Sequence, residues 1–117
     1  MTITCRTVLY PVQDVVRATS VFATLFGTDP HVESPFYVGF SVDGHEIGLV
    51  PAGSGQELAG PTPFYDVGDI AAAIAGLVDV GAAVAQPPTD VGGGMLVAKV
   101  TDPDGNTLGL RQAPTGA

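Results

Sequence analysis

VQDVVRATSVFATLFG, residues 12–27, is matched later in the chain by VGDIAAAIAGLVDVG, residues 67–81. Both stretches open with V-x-D, continue with apolar residues at helical spacing and end in glycine. An aspartate before a helix accepts hydrogen bonds from the free N–H groups of the first turn, and glycine favours the left-handed conformation that ends a helix. Two amphipathic helices are therefore predicted. The residues that begin and end them are Asp14, Gly27, Asp69 and Gly81.

Segments typical of β-strands surround both helices in the same order. TITCRTVLYPV and TPFYDV precede the helices, and pairs of strand-like runs separated by Asp-Gly follow them. Short extra strands are expected near His31–Glu33 and Ala82–Ala85. The pattern predicts one α+β domain over residues 1–117, made of two tandem βαβββ modules at about 1–52 and 60–113. Its mixed sheet should be curved, with the helices on the convex side and an open concave face.

The composition restricts the function classes. A chain of 117 residues suits one domain, and 45% apolar residues indicate a packed core. The formal net charge of −8 excludes nucleic acid and anionic membranes as favoured partners, and it favours a cationic ligand.

Cysteine usage and hydropathy indicate a cytoplasmic protein. Cys5 is the only cysteine, so no intramolecular disulfide and no cysteine-rich zinc site can form. We expect its thiol to be buried and inert. The first residues do not resemble a signal peptide, and no apolar run is long enough for a membrane helix, so no membrane partner is expected.

DPDGNTLGL, residues 102–110, closes the second module, and DGHEIGLV, residues 43–50, occupies the same place in the first. A duplicated βαβββ module with V-x-D before each helix and DPDGN near the end resembles the vicinal oxygen chelate superfamily. That superfamily includes glyoxalase I, extradiol dioxygenases, epimerases and bleomycin resistance proteins. The loop PPTDVGGG, residues 87–94, adds to a resemblance that covers nearly the whole chain. It implies the glyoxalase/bleomycin resistance fold, which does not by itself fix a function.

Metal-using members of this superfamily place a His or Gln in the first strand and a Glu in the last strand of each half. The matching positions here are Thr7, Gly48, Thr62 and Gly109. A divalent metal needs imidazole, carboxylate or thiolate donors, so hydroxyls and hydrogens cannot hold one against water. We therefore expect no metal and no other cofactor. Each glycine either leaves space for a flat ligand on the concave face or allows a bend in a curved strand.

Other side chains are candidates for a ligand site on the concave face. Aromatic residues in PFYVGF and PFYD could stack on a planar ligand or belong to the core. Asp66 could anchor a cationic or hydroxyl-bearing ligand, or it could be an exposed carboxylate near the helix entrance. The predicted ligand-binding residues are Thr7, Leu9, Phe36, Phe40, Gly48, Thr62, Phe64, Asp66, Gly109 and Arg111.

The leading hypothesis is a metal-independent protein that binds a small organic molecule, cationic or aromatic. The resemblance implies sequestration of an antibiotic or metabolite, as in the bleomycin resistance proteins, and no catalytic residue is predicted. A second hypothesis is a metal-free lyase, isomerase or cyclase with Asp66, His45 or Glu46 as its base, although His45 and Glu46 should point to opposite faces. A third is a regulatory module without a ligand. We also expect a homodimer in which the partner closes the concave face.

Overall fold

The computed structural model of the chain describes residues 3–53 and 58–114. These residues form two helices and eight strands in the order β-α-β-β-β, twice, so the predicted α+β class and the two βαβββ modules are confirmed. The elements are β1 (Thr4–Val12), α1 (Val15–Phe26), β2 (Val32–Ser34), β3 (Tyr37–Val42), β4 (His45–Pro51), β5 (Thr62–Asp66), α2 (Ile70–Asp79), β6 (Ala83–Asp90), β7 (Leu96–Thr101) and β8 (Thr107–Gln112). Both predicted short strands are present, as β2 and as the beginning of β6.

The chain divides into two compact units. The first unit is Arg6–Thr62, and the second unit combines Met1–Cys5 with Pro63–Ala117. In the first unit the strands are ordered β2-β3-β4-β1, with β1 parallel to β4 and the other pairs antiparallel. In the second unit the order is β5-β8-β7-β6, and β5 is parallel to β8.

The two helices begin as the sequence predicts. Asp14 accepts a hydrogen bond from the backbone N–H of Arg17, and Asp69 accepts one from Ala72, each at 3.1 Å. Gly27 ends α1 in the left-handed conformation, with φ of 69°. The end of α2 differs from the prediction, because Val80 is its capping residue and Gly81 follows with φ of 111°.

Each helix packs on one face of its own unit's strands. Under α1 the buried residues are Val38, Phe40 and Leu49, whereas in the second unit Ile70 of α2 is buried against Ala98 and Leu110. Successive side chains of a strand point to opposite faces. The residues between these core positions therefore lie on the opposite face of each unit, which we call its helix-free face.

The DPDGN motif forms a tight turn between β7 and β8. The Asp102 carboxylate accepts hydrogen bonds from the Asn106 side chain at 2.9 Å and from the backbone N–H groups of Asn106 and Asp104 at 2.8 and 2.9 Å. The Asn106 side chain, followed by these backbone donors, holds the pKa of Asp102 below its ordinary value. These hydrogen bonds fix the turn of the β7–β8 hairpin.

The predicted loop over residues 87–94 is partly a strand. β6 runs to Asp90, and its pairing with β7 shifts register between Gln86 and Thr89. Pro87 and Pro88 lie in this irregular stretch, where the missing N–H of proline breaks no ladder bond. β6 pairs only with β7 within its unit, which also suits prolines.

Candidate functional site

The helix-free face of the first unit carries most of the predicted residues of that half. Strand alternation places Thr7 and Leu9 there from β1, and Glu46 and Gly48 from β4, with Thr7 opposite Glu46 and Leu9 opposite Gly48 in the ladder. β3 adds Tyr37 and Gly39, the latter paired with Gly48. Thr7 and Leu9 are almost fully buried.

The helix-free face of the second unit is built from β5, β8 and β7. Phe64 lies opposite Gly109, and Asp66 lies opposite Arg111. Lys99 is paired with Gly109 from the other side and is buried. An aromatic ring, a carboxylate and two cations therefore share this face.

The four positions at which metal-using relatives carry ligands do not suit a metal. Thr7 and Thr62 offer hydroxyls, and the Thr62 hydroxyl donates to the Gly60 carbonyl at 2.9 Å. Gly48 and Gly109 offer no side chain. Within residues 3–53 and 58–114, no three His, Cys, Asp or Glu side chains lie close enough to share a metal ion. These residues do not fit a catalytic metal at that place.

Gly48 lies beneath side chains of its own unit. A Cβ atom at this position would come within 2.5 Å of Leu9 Cδ2 and 2.6 Å of Tyr37 Cε1, which is closer than real Cβ atoms approach other atoms. The absence of a side chain at Gly48 thus lets the Tyr37 ring lie directly over the strand. The position is therefore neither open space for a ligand nor only a bend in the strand, which were the two alternatives that the sequence left open.

Gly109 repeats this arrangement in the second unit. A Cβ atom there would lie 2.6 Å from Cγ of Phe64 and closer still to the edge of the same ring. Leu9 is the ladder partner of Gly48, and Phe64 is the ladder partner of Gly109. In both modules a large apolar side chain therefore packs over a glycine of the neighbouring strand.

Three polar side chains form a connected cluster on the helix-free face of the first unit. Glu46 Oε1 lies 2.7 Å from His31 Nε2, and the Tyr37 hydroxyl donates to Glu46 Oε2. The side chains remain accessible, with His31 47% and Glu46 29% exposed. The backbone N–H of His31 also donates to the Gly39 carbonyl at 2.9 Å, which fixes the start of β2 beside the cluster.

Two charged residues of the second unit's face, Asp66 and Arg111, contact each other. Arg111 Nε lies 3.7 Å from Asp66 Oδ1, and the Thr4 hydroxyl donates to Asp66 Oδ2 at 3.3 Å. Arg111 also points a guanidinium nitrogen at the Met95 sulfur, 3.9 Å away. Asp66 is therefore held in an ion pair with Arg111.

Two other predicted binding residues lie away from these faces. Phe40 is fully buried beneath α1, with its ring 5.4 Å from that of Phe26, so it has no surface for a ligand and its location argues against a binding role. Phe36 is 74% exposed in the turn between β2 and β3. His45 points away from Glu46, as expected, and its Nδ1 lies 3.1 Å from the Asp43 carbonyl. Cys5 is exposed, so the expectation of a buried thiol was wrong.

Sequence reasoning did not place Lys99 or His31 in a site, and it included Tyr37 only among the aromatic residues of PFYVGF. Two signals could have singled out Tyr37 and Lys99. Tyr37 alternates with Gly39 on the face opposite Val38 and Phe40, and Lys99 is the one lysine in the sequence and interrupts an otherwise apolar strand. No local signal connects His31 to Glu46.

Two surface hollows lie beside the helices rather than on the helix-free faces. One, of about 560 Å3, lies between α1 and the β2–β3 connection and includes Glu33, while the other, of about 410 Å3, lies along α2 and is almost wholly apolar. Neither contains a predicted binding residue. We give more weight to the helix-free faces, because they hold the clustered ionisable side chains.

Comparison with protein families decides the classification. The sequence profile of the Glyoxalase/Bleomycin resistance protein/Dioxygenase superfamily matches residues 5–110. The chain belongs to this superfamily. The resemblance drawn from its repeats and from the DPDGN motif is thereby confirmed.

Several solved structures share the fold. A superfamily member from Vibrio splendidus has a TM-score of 0.73 at 19% identity, with 96% of this chain and 100% of that chain covered. Methylmalonyl-CoA epimerase from Mycobacterium tuberculosis has a TM-score of 0.73 at 16% identity, covering 96% and 88%. A hypothetical protein from Bacillus halodurans reaches 0.79 at 12% identity, covering 100% and 99%. At these identities the similarity concerns the fold alone.

Two negative findings complete the comparison. No curated protein sequence matches this chain. Among the residues that the structure describes, neither helix has the length and apolar character needed to cross a membrane.

Proposed function

We propose that this protein binds a small organic molecule without a metal, on the helix-free face of its second unit. The observation that carries the proposal is the grouping of Phe64, Asp66, Lys99 and Arg111 on that face. An apolar ring with a few fixed charges beside it is the usual composition of a small-molecule site. The absence of suitable donors at Thr7, Gly48, Thr62 and Gly109 supports a metal-independent mode of binding.

The local charge favours a ligand different from the one that the whole chain suggests. The net charge of −8 favours a cation, but two of the four basic residues, Lys99 and Arg111, lie on this face with the single carboxylate of Asp66. A ligand with a carboxylate or another anionic group fits this arrangement. Arg111, whose side chain is 28% exposed, would pair with the anionic group by its planar guanidinium.

Sequestration of such a ligand, for example an antibiotic or a metabolite, is the role that we assign to this face. The ion pair of Asp66 with Arg111 holds the carboxylate, so Asp66 is better suited to positioning Arg111 than to removing a proton. Binding without conversion is therefore the simpler chemistry for the second unit.

Native mass spectrometry of the protein purified from its own host would test the proposal. We expect a retained compound in the wild type, loss of that compound in Arg111→Gln, and retention in Arg17→Gln. The control makes the same change of charge at Arg17, an exposed residue of α1 in the first unit. Retention in both variants would contradict the assigned site, and a compound that leaves the protein chemically altered on incubation would contradict sequestration.

A further inference from the structure

The cluster of Tyr37, Glu46 and His31 has the connectivity of a proton-transfer site. Each oxygen of the Glu46 carboxylate has its own partner, the Tyr37 hydroxyl on one side and His31 Nε2, at 2.7 Å, on the other. We propose that His31 is a general base toward a small molecule bound on the helix-free face of the first unit, and that Glu46 and Tyr37 are its positioning residues.

The hydrogen bond to Glu46 decides which nitrogen of His31 is basic. A carboxylate can only accept, so Nε2 of the neutral ring carries the proton and donates it to Glu46. Nδ1 then holds the lone pair, and it has no hydrogen-bond partner within the described parts of the chain. With 47% of the side chain exposed, a bound molecule can reach this nitrogen.

The carboxylate also keeps its hydrogen bond to the ring when the base takes a proton. When Nδ1 takes a proton, His31 becomes an imidazolium whose Nε2–H already points at Glu46. An orienting carboxylate behind a histidine is the arrangement that fixes the tautomer and supports the developing charge in acid–base catalysis. The Tyr37 hydroxyl, bound to the second oxygen, keeps the carboxylate from rotating away.

The backbone of the first unit is shaped to hold this cluster. Gly39 and Gly48 are ladder partners on adjacent strands. A Cβ atom at Gly39 would overlap the Glu46 carboxylate, lie 2.8 Å from the Tyr37 ring and lie 3.2 Å from His31 Nε2. Because Gly39 and Gly48 have no side chains, all three side chains of the cluster have the space to contact one another on the sheet.

The surroundings indicate the kind of molecule that would be deprotonated. Glu46 and the acidic chain disfavour an anion beside His31, while the Tyr37 ring supplies apolar surface. A neutral molecule with a weakly acidic C–H or O–H proton and a flat apolar part fits this place. The step moves that proton to His31 Nδ1 and leaves the electron pair on the molecule.

The proposed base and its two positioning residues all belong to the first unit, and their role is proton transfer in addition to ligand binding. It does not depend on Arg111, Lys99 or Phe64, so the two proposals can fail separately. It also gives the hypothesis of a metal-free enzyme a specific base, His31, in place of the bases suggested by the sequence.

The first test is 15N NMR of the two histidine rings at a pH where they are neutral. We expect His31 to be protonated at Nε2 and unprotonated at Nδ1, and Glu46→Gln to mix its tautomers. His45 is the internal reference, because it does not contact Glu46, and its signals should not change. A proton on Nδ1 of His31 in the wild type would overturn the proposal without any variant having to fold.

The second test uses a nitrobenzisoxazole as a neutral, flat probe. A base removes its ring C–H proton, the C–H electron pair forms a nitrile, and the N–O bond breaks to give a coloured nitrophenolate. We expect His31→Gln to lower the protein-dependent rate by at least about tenfold, within the range of general-base catalysis. Gly39→Ala should also lower it, although it removes no member of the cluster.

His45→Gln is the matched control, because it removes the other histidine of the chain from a position beside the Asp43–Gly44 turn. Its rate should equal that of the wild type. Equal rates for the wild type and His31→Gln would overturn the proposal, whether or not the host-purified protein retains a compound in the test of the second unit.

Discussion

Replacing Gly109 by alanine should destabilise the protein, although alanine is ordinarily the better residue in a strand. The added methyl would lie 2.6 Å from Phe64 Cγ and nearer to the ring edge, and Phe64 is only 2% exposed. The ring cannot move outward freely, so the substitution overpacks the face. Overpacking typically costs about 1–3 kcal/mol, and the removal of a strand glycine returns about 0.5–1 kcal/mol. We expect a net loss of about 1–2 kcal/mol in the free energy of unfolding.

Gly76→Ala adds the same methyl group, but we expect it to raise the free energy of unfolding. Gly76 lies in α2, is exposed, and would have nothing within 4 Å of an added Cβ atom. Glycine in a helix costs about 0.5–1 kcal/mol relative to alanine, so this variant should be more stable than the wild type. The pair separates a steric effect at Gly109 from a general effect of removing glycine.

Urea unfolding followed by circular dichroism measures both variants. With a slope of about 1–3 kcal/mol per molar urea, the midpoint of Gly109→Ala should fall by roughly 0.5–1 M and that of Gly76→Ala should rise by a few tenths. In a double-mutant cycle, Phe64→Leu should relieve part of the cost of Gly109→Ala, with a coupling of at least about 0.5 kcal/mol. A Gly109→Ala midpoint at or above that of the wild type would refute the close packing of Phe64 on the glycine.

Three further predictions concern charge, metal content and assembly. Because its hydrogen bonds lower the pKa of Asp102 below 3.8, this carboxylate stabilises the folded protein above the unfolded-state pKa and loses that effect as the pH falls through the lowered value. The difference in urea midpoint between the wild type and Asp102→Ala should therefore be largest at neutral pH and should shrink in acid; a constant difference would contradict this. Elemental analysis after dialysis should find no near-stoichiometric zinc, nickel, iron or manganese, because Thr7, Gly48, Thr62 and Gly109 offer no ligand set. Because the chain is 45% apolar and only 14% charged, we expect a homodimer in which the partner closes the concave face, and sedimentation equilibrium at micromolar concentration would exclude it by giving a mass near 11.8 kDa.

The sequence by itself determined the elements and their order. Helix starts at Asp14 and Asp69, the turn at Asp102 and the repeated βαβββ pattern all depend on interactions between residues close together in the chain. Such interactions are encoded by residue type and spacing, so they can be read without coordinates. The missing metal donors also follow from residue identity once the family pattern is recognised.

Only the tertiary structure decided how the side chains of the two faces are arranged. His31 and Glu46 meet across β2, β3 and β4, and their contact depends on strand register and on the bare positions at Gly39 and Gly48. Phe40 was placed among the ligand residues by its aromatic character, whereas its position in β3 directs it under α1. Register and rotamer choice are set by packing between distant segments, and a one-residue change in register reverses every side chain of a strand. For that reason the sequence predicted which strands form each face, and the structure showed that His31, Glu46 and Tyr37 contact one another on one of them.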